Sequence, residues 1–119
     1  MTNNTFVGNN AVVGGAVFCS GYQQTLYNNI LIKGSTGSNC GFFPNTPVTA
    51  GNNLADDDSC GTGFTNCSTL SDQISPLGDQ GGPSQTFALQ PGSSAIDAGD
   101  DSQCPDADQR GVIRQDGNQ

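Results

Sequence analysis

The chain has 119 residues, the size of one domain, with 33% hydrophobic residues and 17 glycines, which is little material for a thick layered core. Its formal charge is −8, from 11 acids that are all Asp against only Lys33, Arg110 and Arg114, so phosphate backbones and anionic membrane surfaces are repelled. There is no His and no Trp, which removes the usual neutral-pH base, any Ser-His-Asp or Cys-His triad, and the commonest transition-metal ligand.

The first feature in chain order is a repeat. "NNTFVGN" begins at Asn3, "NNILIKG" at Asn28 and "NNLADDD" at Asn52, at intervals of 25 and 24 residues. Each opens on an Asn pair and continues into apolar residues. A second series interleaves with it, "GAVFCSG" from Gly15 and "CGFFPN" from Cys40, which places Phe18 and Phe43 one interval apart. Short strands separated by Gly/Asn turns at one period predict a short parallel β-solenoid with inward Val, Ile, Leu and Phe side chains. Doubled Asn residues stacked at the turns would form hydrogen-bond ladders. The competing architecture is an antiparallel two-sheet sandwich, which also uses short strands and Gly-rich turns.

The repeat fades after Asn66. The rest is rich in Pro, Gly and Asp, with no period. The expectation is one domain: coils over residues 1–66 and an irregular capping segment over 67–119. Ile74, Leu77, Phe87, Leu89 and Ile96 would cover one open end of the coils, which otherwise exposes apolar side chains and strand edges. No apolar run reaches the roughly 18 residues of a membrane span. The opening "MTNNTFVGNN" lacks the basic and apolar regions of a secretory signal.

The capping segment carries the most specific motifs: "SPLGDQGGPSQTFALQPGSSAIDAGD" over 75–100 and "CPDADQRG" over 104–111. These resemble the terminal segment of the choice-of-anchor Q domain proteins, bacterial surface proteins related to polymorphic-outer-membrane-protein repeats. "NNILIKGSTGSNC" and "GNNLADDDSCG" resemble the last coils of such proteins. The resemblance implies an all-β fold, a short right-handed parallel β-helix with an irregular C-terminal cap, and an extracellular or cell-surface setting. It implies no particular ligand, because fold does not carry function. The family usually has His where this chain has Phe87, and it runs on into a Cys-containing segment that would supply a partner for Cys104.

Two groups of carboxylates are candidate calcium ligands: Asp56, Asp57 and Asp58 on one turn, and Asp100, Asp101, Asp106 and Asp108 in the cap. Calcium takes six to eight hard oxygens, which turn carboxylates and carbonyls can supply. The plainer alternative is Asx turns and solvated loops. No other cofactor is expected. Asp97, between Ile96 and Ala98-Gly99, would be partly buried, with Arg110 as its partner and Ile96 as a plug in the coil. Five cysteines stand at 19, 40, 60, 67 and 104, with no CxxC pair. Without His, zinc is a poor reading and disulfides a better one. Cys40 and Cys60, each before a Gly on successive coils, are the expected bridge.

No catalytic residue stands out. Polysaccharide lyases of similar architecture need an Arg or Lys base beside calcium, and this chain has few bases. The functional expectation is therefore a non-catalytic structural or interaction module, a terminal piece of a surface-type β-helix protein. It would form homo-oligomers through the coil that holds Phe6 and Val12, without nucleic-acid binding or membrane insertion. The alternative is a calcium-stabilised solenoid that binds or acts on glycans.

Overall fold

A computed structural model describes residues 1–114; the end of the expected cap, 115–119, lies outside the described residues. Regular structure among them is β-rich: β1 (Thr5–Asn9), β2 (Val17–Cys19), β3 (Gln24–Tyr27), β4 (Ile30–Lys33), β5 (Cys40–Phe42), β6 (Val48–Gly51), β7 (Asn53–Ala55) and β8 (Phe64–Asn66). Two 3-10 turns follow, Leu70–Gln73 and Asp101–Gln103. The strands form three small sheets in the orders β1-β4-β7-β8, β2-β5 and β3-β6. Every ladder between them is parallel. That direction excludes the antiparallel sandwich, whose neighbouring strands run in opposite senses.

The chain visits the sheets in rotation. Thr2 bridges to Tyr27 at the end of β3, Phe6 in β1 lies beside Leu31 in β4, and Val17 in β2 lies beside Cys40 in β5. The Asn pairs make the corner between the β3-β6 sheet and the four-stranded sheet. The first Asn of each pair is left-handed, with φ of 58° at Asn3, 57° at Asn28 and 54° at Asn52. Asn tolerates this conformation at lower cost than other non-Gly residues, so the sequence can turn there without Gly.

The second Asn of each pair points inward. The Asn29 Nδ2 donates to Asn53 Oδ1 at 2.9 Å, and the Asn4 Nδ2 donates to Asn29 Oδ1 at 3.4 Å. Backbone amides join the ladder: Asn4 N–H donates to Asn29 Oδ1 and Asn29 N–H to Asn53 Oδ1. Asn53 closes it, its Nδ2 donating to the carbonyls of Leu26 and Gly63 at 2.8 and 3.0 Å. Asn29 and Asn53 are fully buried, and each lost bond at such a group costs about 1–3 kcal/mol. At the fourth rung Gly63 stands just before Phe64, the partner of Asn53, with φ of 87°. There the corner keeps its left-handed backbone without an inward amide.

The four-stranded sheet is apolar on both faces. Leu31 and Ala55 point inward with Val17, Cys19, Cys40 and Cys60, and Phe6, Phe42 and Phe64 pack around them. Ile32 and Leu54 point outward, into a second cluster with Leu70 and Ile74 that Val7, Ile30, Phe87, Ala95 and Ala98 pack against. Alternation along β4 puts Leu31 on one face and Ile30 and Ile32 on the other. Leu31 and Leu70 are each fully buried, worth on the order of 2 kcal/mol apiece.

This placement corrects the expected cap. The segment after Asn66 lies across the outer face of the four-stranded sheet, as a strap, instead of closing an end. The reason is the apolar outer face of β4 and β7, where Ile32 and Leu54 need cover from water. Ile74 and Phe87 pack on that face, while Leu77, Leu89 and Ile96 are exposed. Ile96 is no plug. It is 47% exposed at the top of consecutive turns, and the smaller Ala95 and Ala98 pack beneath it. Phe18 and Phe43 do meet, edge to face with centroids 5.7 Å apart, but both are more than half exposed on the outer side of the β2-β5 sheet.

Candidate functional site

The acidic turn after β7 is a structural loop. Asp56 Oδ1 accepts from the Lys33 N–H at 2.9 Å and from Asn39 Nδ2 at 2.7 Å. Asp57 accepts from the Asn39 N–H and from the Ser59 hydroxyl and N–H. Burial works to raise the Asp57 carboxyl, and the Ser59 and Asn39 donors outweigh it, leaving it below the ordinary value. Asp58 is exposed. The carboxylates are thus spent on backbone amides that the β4–β5 connection leaves open.

The strap acids are likewise turn-formers. Asp100 caps the turn Asp101–Gln103, accepting from the Ser102 N–H at 2.9 Å and the Ser102 hydroxyl at 2.6 Å. Asp106 and Asp101 are exposed. Asp108 accepts from Arg110 Nε at 2.8 Å and forms an ion pair with Arg110 Nη2 at 2.7 Å. The Arg110 hydrogen bond, with backbone donors, holds the Asp108 carboxyl below its ordinary value. No three Asp or Cys side chains among the described residues converge to hold a metal ion. The oxygens of Asp56, Asp57, Asp100 and Asp108 accept hydrogen bonds within their turns, while Asp58, Asp101 and Asp106 face solvent.

The expected Asp97–Arg110 pair is replaced by Asp108–Arg110, two residues apart within one hairpin-like bridge of Ala107 and Ile113. Asp97 is exposed, with a left-handed φ of 54°. It needs no partner because water solvates it.

The strap is held instead by the outward Asn of each corner. Asn52 Nδ2 donates to the Ala98 carbonyl at 3.1 Å. Asn28 Nδ2 donates to the Asp100 carbonyl at 2.9 Å, and the Asp100 N–H donates back to Asn28 Oδ1 at 2.7 Å. Cys104 reaches the remaining corner, Sγ to Asn3 Oδ1 at 3.9 Å. Each Asn doublet thus has two jobs: the second residue builds the inner ladder, and the first docks the strap.

Cys40 and Cys60 are bonded, with Cα atoms 5.0 Å apart. The loop between β7 and β8 is thereby pinned to β5. Cys19, Cys67 and Cys104 are free. Burial pushes the Cys19 thiol up. At Cys67 desolvation also pushes up, but Ser94, Thr69 and Gln73 converge on Sγ and bring the thiol below its ordinary value.

A groove of about 620 Å³ lies between the start of β1 and the strap. Thr5 forms one wall, Leu77, Phe87 and Leu89 give it apolar surface, and Arg110 and Arg114 line it. Two of the chain's three cations therefore face one groove. Sequence reasoning placed both arginines in the tail and missed this site. Their neighbours in the fold are far away in sequence, so no local spacing revealed it. No family model, curated protein or solved structure matches the chain.

Proposed function

We propose that the chain is a short right-handed parallel β-helix of the choice-of-anchor Q kind, acting as a non-catalytic structural module at the end of a surface protein. One observation carries this reading: parallel strands recur in register at the interval of the Asn doublets, and those doublets ladder inward while the family-like segment straps the outside. The resemblance of "PGSSAIDAGD" and "DQRG" to the family's terminal segment supports the same assignment.

The module self-associates through its first rung. β1 ends the four-stranded sheet, with no strand beyond it among the described residues. Beside it Val12 is 90% exposed and Val13 more than half exposed, an unusual position for two adjacent valines. Pairing two such edges would bury both valines and satisfy the open backbone groups. Light scattering over a range of concentrations tests this. The expected result is a dimer or trimer that Val12→Asp returns to one chain. A mass of 12.2 kDa at every concentration would overturn self-association.

A further inference from the structure

A strand at the edge of a sheet presents unpaired backbone donors and acceptors on its free side. In β1 the Asn4 carbonyl is turned toward β4, where it accepts from the Ile30 N–H at 2.9 Å. Backbone groups alternate in direction along a strand, so those of Thr5 and Val7 face away from β4. Among the described residues the sheet has no further member beyond β1.

The groove beside this edge is built from two antiparallel bridged loops of the strap, joined at Gly78–Thr86 and Ala107–Ile113. Its surface combines apolar Leu77, Phe87 and Leu89 with Arg110, Arg114 and one acid, Asp108. Arg110 is engaged by Asp108 and by the Gln80 carbonyl at 3.3 Å. Arg114 makes no ion pair among the described residues. Among the described residues, a negatively charged protein thus holds an arginine outside any ion pair beside a strand edge with no strand neighbour.

We infer that this groove is a strand-addition site for an extended polypeptide segment carrying a carboxylate, which pairs with the edge of β1 and sets its acid on Arg114. Backbone pairing supplies the affinity, and the carboxylate–guanidinium contact selects the segment. The chain's overall negative field does not forbid this. Exposed charges farther than about 8–10 Å are screened at physiological salt, whereas the contact in the groove is direct. The inference rests on the reading of β1 as an interaction edge and gives that edge a second partner, which competes with self-pairing.

The test uses the full chain and fluorescently labelled, blocked peptides of about seven residues alternating Thr and Val. One has a central Asp, one has Asn there, and one keeps the Asp but carries Pro at alternate positions. Binding is read by anisotropy. The Asp peptide is expected to bind, with the Asn peptide, the Pro peptide and the Arg114→Gln variant each at least about tenfold weaker. Equal binding of the Asp and Asn peptides would overturn the carboxylate selection. Undiminished binding of the Pro peptide would overturn strand addition, and absence of Asp-peptide binding would overturn the site. A thermal melt of Arg114→Gln shows whether the variant is folded. Light scattering of the peptide-free chain reads self-association separately, so either idea can fail alone.

Discussion

The stacked strands and the strap are built on different principles, although the same Asn doublets serve both. Within the stack each rung repeats the hydrogen-bond pattern of the last, and the amides of Asn29 and Asn53 are sealed from water. Across the strap, individual side chains catch individual carbonyls: Asn52 catches Ala98 and Asn28 catches Asp100. Apolar contact beneath it comes from Leu70, Ile74 and Phe87 together with the smaller Ala95 and Ala98. The stack therefore gains from repetition, and the strap from a few specific contacts that water can contest. Local opening should begin in the strap.

The largest expected effect comes from breaking the inner ladder. Asn53→Ala removes the acceptor for two Asn29 donors and the side-chain donor to the Leu26 and Gly63 carbonyls, of which Gly63 keeps the backbone N–H of residue 53. Urea unfolding should show a loss of about 4 kcal/mol, the sum of several buried groups left unpaired. A loss below about 1 kcal/mol would mean that the ladder is decorative.

Replacing Cys40 and Cys60 by Ser should cost slightly less, about 3 kcal/mol, because the bridge closes a chain separation of 20 residues. The same urea series, run on the oxidised parent and the double variant, gives the number. This change loosens the β7–β8 loop and leaves the strap in place.

The strap should respond more weakly. Asn28→Gly keeps the left-handed backbone and deletes the side-chain bonds to Asp100 and Cys104. Global stability should fall by about 1–2 kcal/mol. Amide exchange at Asp100 should quicken by far more than exchange at Leu31. Equal acceleration at both sites would show that stack and strap open as one unit.

Acid gives a finer separation. The folded Asp57 carboxyl lies below its ordinary value, so its contribution is present above about pH 4 and is lost as pH falls through the folded value. The Asp57→Asn variant should show a shallower loss of melting temperature below about pH 4 than the parent. An unchanged slope would remove the assigned role of the Ser59 and Asn39 donors. Smallest of all is the effect of calcium. With Asp56 and Asp57 committed to amides and Asp108 to Arg110, millimolar calcium should leave the melting temperature unchanged.

Much of the stack was legible because its signal is periodic. The Asn doublets at 3, 28 and 52 marked the corners, and the inner amide ladder follows from stacking identical residues. The strap's position was harder to read because nothing in it repeats. Yet a signal was present in "NNILIKG": Ile30, Leu31 and Ile32 put apolar side chains on both faces of one strand, and a strand so built is covered on both sides. Ile96 misled because size alone suggested a plug, whereas the turns around it lift it into water and bring Ala95 and Ala98 down. Asp97 and Arg110 looked like partners by charge, but Asp108 stands only two residues from the guanidinium and needs no long-range fold to meet it.

The outward Asn side chains have one more consequence. Asn52 meets Ala98, Asn28 meets Asp100 and Cys104, and Asn3 meets Cys104, so the strap runs back along the corners from the third toward the first. Rungs stack about 4.8 Å apart, and an extended chain covers that distance in about one and a half residues. The strap is thus a ruler graduated in rungs. A coil inserted between Asn28 and Asn52 would move one mark out of reach, so the stack can lengthen only if the strap lengthens with it.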